Sequence, residues 1–155
     1  MQSNYINKPI DLTAWHGVKP DVTVQLSPEL FSTDTNSSVC TGMQKLIQKW
    51  LSIFLTPKGS VTFDKNRGTD FMIDIFSAST ENEVYKIFIL SNVDAVAQIR
   101  AEENNEAPED EQIQSVTLTG LSLFLGNLSM DIKIVSKSGE NAKIIVPIDT
   151  NPLML

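Results

Sequence analysis

Beyond residue 38 the spacing of apolar residues changes once, and that change constrains the fold most strongly. From Val39 onward, apolar residues first recur at intervals of three and four, which is typical of an amphipathic helix. Beyond residue 115 they alternate with polar residues, which is typical of a half-buried strand. The sequence therefore predicts an α+β fold, with an N-terminal arm, two to three helices and a C-terminal three-stranded antiparallel meander packed on the helices.

Start and stop signals bound the predicted helices. The first helix begins near Val39 and ends before Pro57, which lacks an N–H and disfavours helix at the preceding residue. Thr69 or Asp70 can cap a short second helix. The third helix, about residues 81–103, follows a capping box formed by Thr80 and Glu83. The apolar stripe of the first helix consists of Val39, Met43, Leu46, Ile47, Trp50 and Phe54.

Turn signals divide the last part of the chain into three strands. Gly120 breaks the alternation and predicts a bulge. Gly126-Asn127 predicts the first hairpin turn, and residues 137–140 the second. Pro147 lacks a donor, so the last strand is expected at a sheet edge. The apolar positions are Val116, Leu118, Leu121, Leu123, Leu128, Met130, Ile132, Ile134, Ala142, Ile144, Val146 and Ile148.

These patterns divide the chain into three parts. Residues 1–38 are rich in turn formers and predict an extended arm. Residues 39–148 form one α+β domain, which includes an acidic connector at residues 102–112. Residues 149–155 form a C-terminal tail.

The net charge of −7 is concentrated in the connector. Twelve basic residues stand against nineteen acidic ones, and six of the acids lie at Glu102, Glu103, Glu106, Glu109, Asp110 and Glu111. Without those six the balance is 12 − 13 = −1. Two interpretations stay open: a solvated loop, or a docking loop for a basic partner. An acidic chain is a poor candidate for non-specific nucleic-acid binding, which depends on Lys and Arg.

Reactive side chains are scarce. The single His, His16, is expected to be a loop residue, and the single Cys, Cys40, to be a small buried residue. One Cys permits no internal disulfide framework and no cysteine-based zinc cluster. No carboxylate pair stands out as a hydrolase site, and Asp70 is interpreted as a helix cap. No catalytic centre, metal site or cofactor is expected. No apolar stretch is as long as about eighteen residues, the length that a membrane-spanning helix needs.

A longer pattern spans the first helix and the loop after it. MQKLIQKWLSIFLTPKGSVTFDKNRGTDF, residues 43–71, contains Leu-Thr-x-x-Gly-Ser ending at Gly59-Ser60, then Gly68-Thr69-Asp70. This pattern, and the order of helices, connector and terminal meander with Val146-Pro147-Ile148, resembles the baseplate wedge or sheath-initiator proteins of contractile phage tails. That family is gpW-type and tail-lysozyme-like, and is related to TssE of type VI secretion. The resemblance covers about residues 40–148.

The resemblance implies a structural, non-enzymatic role in the virion, in the tail baseplate, after assembly in the host cytoplasm. Its expected partners are the large wedge proteins and the sheath protein, with tail tube or hub proteins as further candidates, at about six copies per baseplate. The wedge bundle would contact Gly59, Gly68, Asp70, Glu106 and Pro108. The sheath's first ring would pair strands at Ile132, Ile134, Ile144, Val146 and Ile148. Free sheet edges give strand pairing a physical basis.

Alternatives to this interpretation remain open. Many family members carry Glu-Pro-Arg in the connector, whereas here one residue separates Glu106 from Pro108 and no Arg follows. The salt-bridge role of that motif therefore does not carry over. The chain's own arm could cover the sheet edges. The competing functions are a peptidoglycan-degrading tail lysozyme and a free adaptor that binds a basic partner through the connector.

Overall fold

The computed structural model describes residues 42–103 and 105–150. The helical layer contains α1 (Gly42–Leu55), α2 (Phe71–Asp74) with a 3₁₀ turn at Ile75–Ser77, and α3 (Glu81–Glu102). A second 3₁₀ turn, Glu109–Glu111, leads into the strands β1 (Ile113–Phe124), β2 (Asn127–Ser136) and β3 (Asn141–Asp149). The arm, His16, Cys40 and the start of the predicted first helix lie outside the described residues, and so does the tail beyond Thr150.

The α+β prediction is confirmed. The three strands form an antiparallel meander in the order β1-β2-β3. Alternate side chains of β2 and β3 are buried against the helical layer, as their period of two requires. The bulge expected at Gly120 is also confirmed, because the register shifts between Leu118 and Gly120. β3 lies at an edge, as the missing donor of Pro147 predicts.

Aromatic side chains join the three helices at the centre of the core. The rings of Trp50 and Phe54 stack with centroids 4.5 Å apart. Phe54 also contacts Phe71 at 4.4 Å and Phe88 at 5.3 Å. All four are fully buried. One polar side chain links this core to the sheet: the Asn92 amide accepts the Trp50 indole N–H at 3.0 Å and donates to the Val116 carbonyl at 3.2 Å.

The helix starts are only partly as predicted. The Thr80–Glu83 capping box of α3 is confirmed in both directions. Asp70 occupies the N-cap position of α2, but its side chain makes no capping bond. The Thr69 hydroxyl instead accepts the Phe71 N–H at 3.2 Å and donates to the Phe54 carbonyl at 2.7 Å. Of the two caps that the sequence predicted, the fully buried Thr69 therefore makes the bond and ties α1 to α2, and Asp70 does not.

The first hairpin turn differs from its prediction by one residue. Phe124 pairs directly with Asn127, so the two-residue loop is Leu125-Gly126 and not Gly126-Asn127. Both loop residues have positive φ, 49° and 79°. That combination is typical of the type I′ turn, which matches the twist of the two strands.

Candidate protein-binding site

The direction of each backbone group in the sheet follows from its terminal hydrogen bonds. In an antiparallel pair, opposite residues alternate between pairs that exchange two backbone bonds and pairs that exchange none. The Thr150 N–H donates to the Gly126 carbonyl at 2.7 Å. Counting back along the β2–β3 register, the bonded pairs are Leu128 with Ile148 and every second pair after it. The backbone groups that point away from β2 belong to Asn141, Lys143, Ile145, Pro147 and Asp149.

The two outer strands differ in how their free edges are covered. Three side chains of α3 and that of Glu103, directly after it, bond the outer edge of β1. The Asn92 amide donates to the Val116 carbonyl at 3.2 Å, and Glu81 accepts the Leu123 N–H at 3.2 Å. Near the other end, Arg100 donates to the Gln114 carbonyl at 3.0 Å, and Glu103 accepts the Ile113 N–H at 2.7 Å. These bonds occupy the edge of β1 near its two ends, over residues 113–116 and at Leu123.

The edge of β3 has no comparable cover within residues 42–103 and 105–150. No side chain of this part bonds the outward groups of Lys143 or Ile145. Pro147 offers a carbonyl but no N–H, so full pairing stops short of it. The described structure thus leaves the edge of β3 open to strand addition over about residues 141–146.

The five residues expected to pair with a sheath strand lie in different positions. Ile132 and Ile134 are on β2, which pairs with a strand on each side, so their backbone groups are already used. Ile144, Val146 and Ile148 are on the edge strand, but their backbone groups face β2 and the first two side chains are fully buried. They hold β3 in place, whereas the outward groups of Lys143 and Ile145 are available to a partner.

The loop after α1 holds the glycines expected at the wedge interface. It closes through a parallel bridge between Pro57 and Thr69, with the Lys58 N–H bonded to the Thr69 carbonyl at 3.0 Å. The Gln98 side chain bonds both backbone groups of Gly68, at 3.0 and 2.7 Å. The loop is therefore fixed to α3 at its base. Its tip presents Phe63, which is 94% exposed.

The two glycines play different parts in this loop. Both have positive φ, 85° for Gly59 and 101° for Gly68. A Cβ on Gly68 would lie 2.2 Å from the Thr56 carbonyl oxygen, whereas a Cβ on Gly59 would meet nothing within 4 Å. Asp70 is exposed just after the loop. Only Gly68 is thus required by close packing; Gly59 is required by backbone conformation alone.

The acidic connector is not simply solvated, because three of its acids pair within the chain. Glu111 pairs with Lys45 at 2.6 Å and accepts the Gly42 N–H at 3.1 Å, so it caps α1 from a distant part of the sequence. Glu102 pairs with Arg67 at 2.6 Å, and Glu103 with Lys137 at 3.3 Å. These bonds join α1, the loop, α3 and the second hairpin turn.

Among the described residues, two carboxyl groups have displaced pKa values, both downward. Partial burial raises the pKa of Glu111, but the Lys45 ammonium and the Gly42 N–H outweigh it and hold that pKa below its usual value. Bonds from the Ser79 and Thr80 N–H groups lower the pKa of Glu83. A general acid at neutral pH needs a raised pKa. Neither group therefore suits acid catalysis, and both stabilise helix starts.

Glu106 and Pro108, the remaining residues expected at the wedge interface, lie in the exposed turns between α3 and β1. The Pro108 carbonyl accepts the Glu111 N–H at 2.9 Å and so begins the 3₁₀ turn. The loop and the connector meet at the C-terminal half of α3, since Arg67 reaches Glu102 there. No local pattern predicts the Glu111 cap, because it joins residues 69 positions apart.

Other kinds of site were sought in the described part of the chain. No group of three or more His, Cys, Asp and Glu side chains there is placed to hold a metal ion. None of the described helices has both the length and the apolar character needed to cross a bilayer.

Comparison with known proteins gives one informative similarity. No family model and no curated protein matches the sequence. Among solved structures, the fold is similar to that of a protein from Geobacter sulfurreducens provisionally named a tail lysozyme, with a TM-score of 0.51. The match covers 76% of this chain and 99% of that chain, at 12% sequence identity. At this identity the similarity establishes a shared fold for the helices and the sheet.

Proposed function

We propose that this protein is a non-enzymatic component of a contractile phage tail baseplate, in which it initiates sheath assembly by accepting a strand from the first sheath ring. The open edge of β3 is the observation that carries the proposal, because edge N–H and C=O groups can recruit an extended segment of another chain. The motif in residues 43–71 and the fold shared with a protein named after the phage tail support the setting.

The remaining surfaces fit attachment to other baseplate proteins. The loop around Phe63 is fixed to α3 at its base and exposes an aromatic ring at its tip. The connector lies next to it, held by Glu102 and Glu111. We assign contact with the large wedge proteins to this end of the molecule and sheath contact to β3. Tail tube or hub proteins are further candidates for contact, and a copy number near six is part of the same proposal.

The assembly test uses a pair of substitutions at one position. Ile145→Pro removes the outward N–H of β3 and leaves its bonds to β2, because Ile145 lies at a non-bonded position of the β2–β3 pair. Ile145→Thr is the matched control, since it alters the side chain but keeps the donor. In phage carrying each variant, electron microscopy should find baseplates without sheath for Ile145→Pro and sheathed tails for Ile145→Thr.

Two results would contradict this proposal. Normal sheathed tails with Ile145→Pro, provided that the purified variant melts near the wild-type temperature, would remove β3 from sheath initiation. Release of soluble muropeptides from purified cell-wall sacculi would favour the competing function suggested by the name of the similar structure, a peptidoglycan-degrading lysozyme. We expect no turnover, because Glu83 and Glu111 are committed to helix capping.

A further inference from the structure

Two lysines face each other across the outer surface of the sheet. Lys133 on β2 is directly opposite Lys143 on β3. Both side chains lie on the face away from the core, since their neighbours Ile132, Ile134 and Ile144 are buried on the other face. Like charges directly opposite each other destabilise an antiparallel pair.

The backbone geometry of this pair brings the two lysines close together. It is a non-bonded pair, in which opposite Cα atoms approach to about 4.5 Å. Neither ammonium forms an ion pair with a carboxylate among the described residues. The lysine pair is therefore a positive site without an ion-pair partner among the described residues, on a chain whose net charge is −7. It also lies at the edge that is open to strand addition.

We infer that the strand accepted by β3 carries an Asp or Glu side chain beside Lys143 on the outer face. The inference rests on the proposed strand addition and specifies the chemistry of the partner segment. An added strand lies about 4.8 Å from β3. Because the Lys143 backbone groups point outward, the residue opposite it forms a bonded pair, and its side chain lies on the same face. A carboxylate there neutralises the charge that Lys133 and Lys143 present together.

The same features set the extent of the segment and disfavour a second copy of this chain. Pro147 has no N–H to offer, so the partner pairs fully only up to Ile145. Edge-to-edge pairing of two β3 strands would add a second pair of lysines to one face of the joined sheet. Lysine on an edge strand opposes such pairing. An acidic extended segment is therefore the occupant that the edge favours.

Two synthetic peptides test this inference on the full-length protein. Both are nonapeptides of alternating Val and Thr with one replacement at the central Thr position, Glu in one and Lys in the other. Binding is followed by the NMR shifts of the Lys143 and Ile145 amides at low salt. We expect the Glu peptide to bind at least about fivefold more tightly than the Lys peptide. In the Lys143→Glu variant the preference should reverse, and in Lys143→Gln it should disappear.

Each contrary result has a definite meaning. Equal binding of both peptides at β3 would overturn the charge preference and leave strand addition intact. If neither peptide shifts the two amides, the inference also fails, and the Ile145→Pro assembly test then decides separately whether β3 serves sheath initiation. A thermal melt of Lys143→Glu serves as the folding control; the substitution should not destabilise the sheet, because it places a carboxylate opposite Lys133.

Discussion

At the residue scale, Gly68 shows how one position can fix a loop. Its φ of 101° is unfavourable for side chains with a Cβ, and the Thr56 carbonyl leaves no room for one. Gln98 then bonds both of its backbone groups. The loop that presents Phe63 is thereby fixed to both α1 and α3. The glycine at position 68 of the motif thus has a steric explanation that does not depend on any family resemblance.

Substitution of the two loop glycines should separate conformational strain from steric overlap. Gly59→Ala should cost about 1 kcal/mol, because alanine must adopt positive φ in open space. Gly68→Ala should cost about 3 kcal/mol or more, since its Cβ also overlaps the Thr56 carbonyl. Urea unfolding of both variants measures the difference. Equal losses would mean that the loop moves aside without cost at Gly68.

At the element scale, the connector is a set of ion pairs that holds the helical layer to the sheet. Glu111 reaches the first N–H of α1, and Glu103 reaches the turn between β2 and β3 through Lys137. Both acids belong to the connector, for which the sequence left open a role as a docking loop for a basic partner. Because at least three of the six are engaged within the chain, a basic partner has fewer of them to meet.

The Glu111 pair predicts a specific loss of stability in acid. The folded-state pKa of Glu111 lies below its ordinary value of 4.5. Its stabilising contribution is therefore fully present above that value and is lost as the pH falls through the lower, folded-state pKa. Glu111→Gln should be less stable than wild type at pH 7, and the difference should shrink towards pH 3. Glu109→Gln is the control, as it removes an exposed acid of the same turn.

The unfolding free energies of these two variants, measured from pH 7 to pH 3, test the role of the connector. A Glu111→Gln profile parallel to that of the wild type over this whole range would show that the pair contributes nothing to stability. A Glu109→Gln profile that converges on the wild type in the same way would mean that net charge, and not the Lys45–Glu111 pair, sets the acid sensitivity.

The sequence predicted the elements better than the contacts between them. The apolar stripe of α1 and the alternation of β2 were sufficient because burial imposes their periods locally. The first hairpin turn was placed one residue late, since Gly-Asn is a strong turn signal while Leu125 at positive φ is not. The core-facing register of Leu128 outweighed that local preference.

The candidate site was harder to predict for a different reason. The free backbone groups of β3 depend on which strand it pairs with and on which of its residues form the hydrogen-bonded pairs. Neither property is encoded at a single position. On β3, the resemblance implied strand pairing at Ile144, Val146 and Ile148, whose backbone groups face β2. Counting outward from the predicted turn at residues 137–140 would place Lys133 opposite Ile144. In the structure Val135 pairs with Asn141, so the register is shifted by one residue and Lys133 lies opposite Lys143.

At the scale of the whole molecule, the two outer edges of the sheet are covered to different degrees. Side chains of α3 and of Glu103 bond the edge of β1 near both of its ends, whereas no side chain of the described part of the chain bonds the outward groups of Lys143 and Ile145 on β3. The Phe63 loop and the connector gather at the C-terminal half of α3. Under our proposal, this end anchors the protein in the baseplate and the open edge receives the sheath. A scaffold of this kind needs no catalytic cleft.

The most direct measurement is a cryo-electron microscopy map of the intact tail at a resolution that separates strands. We expect a strand from the sheath protein to pair with β3 along residues 141–146, bonded to the outward groups of Lys143 and Ile145, with an acidic side chain next to Lys143. A map in which residues of this chain's own N-terminal arm cover that edge, or in which the sheath contacts another surface, would contradict the account.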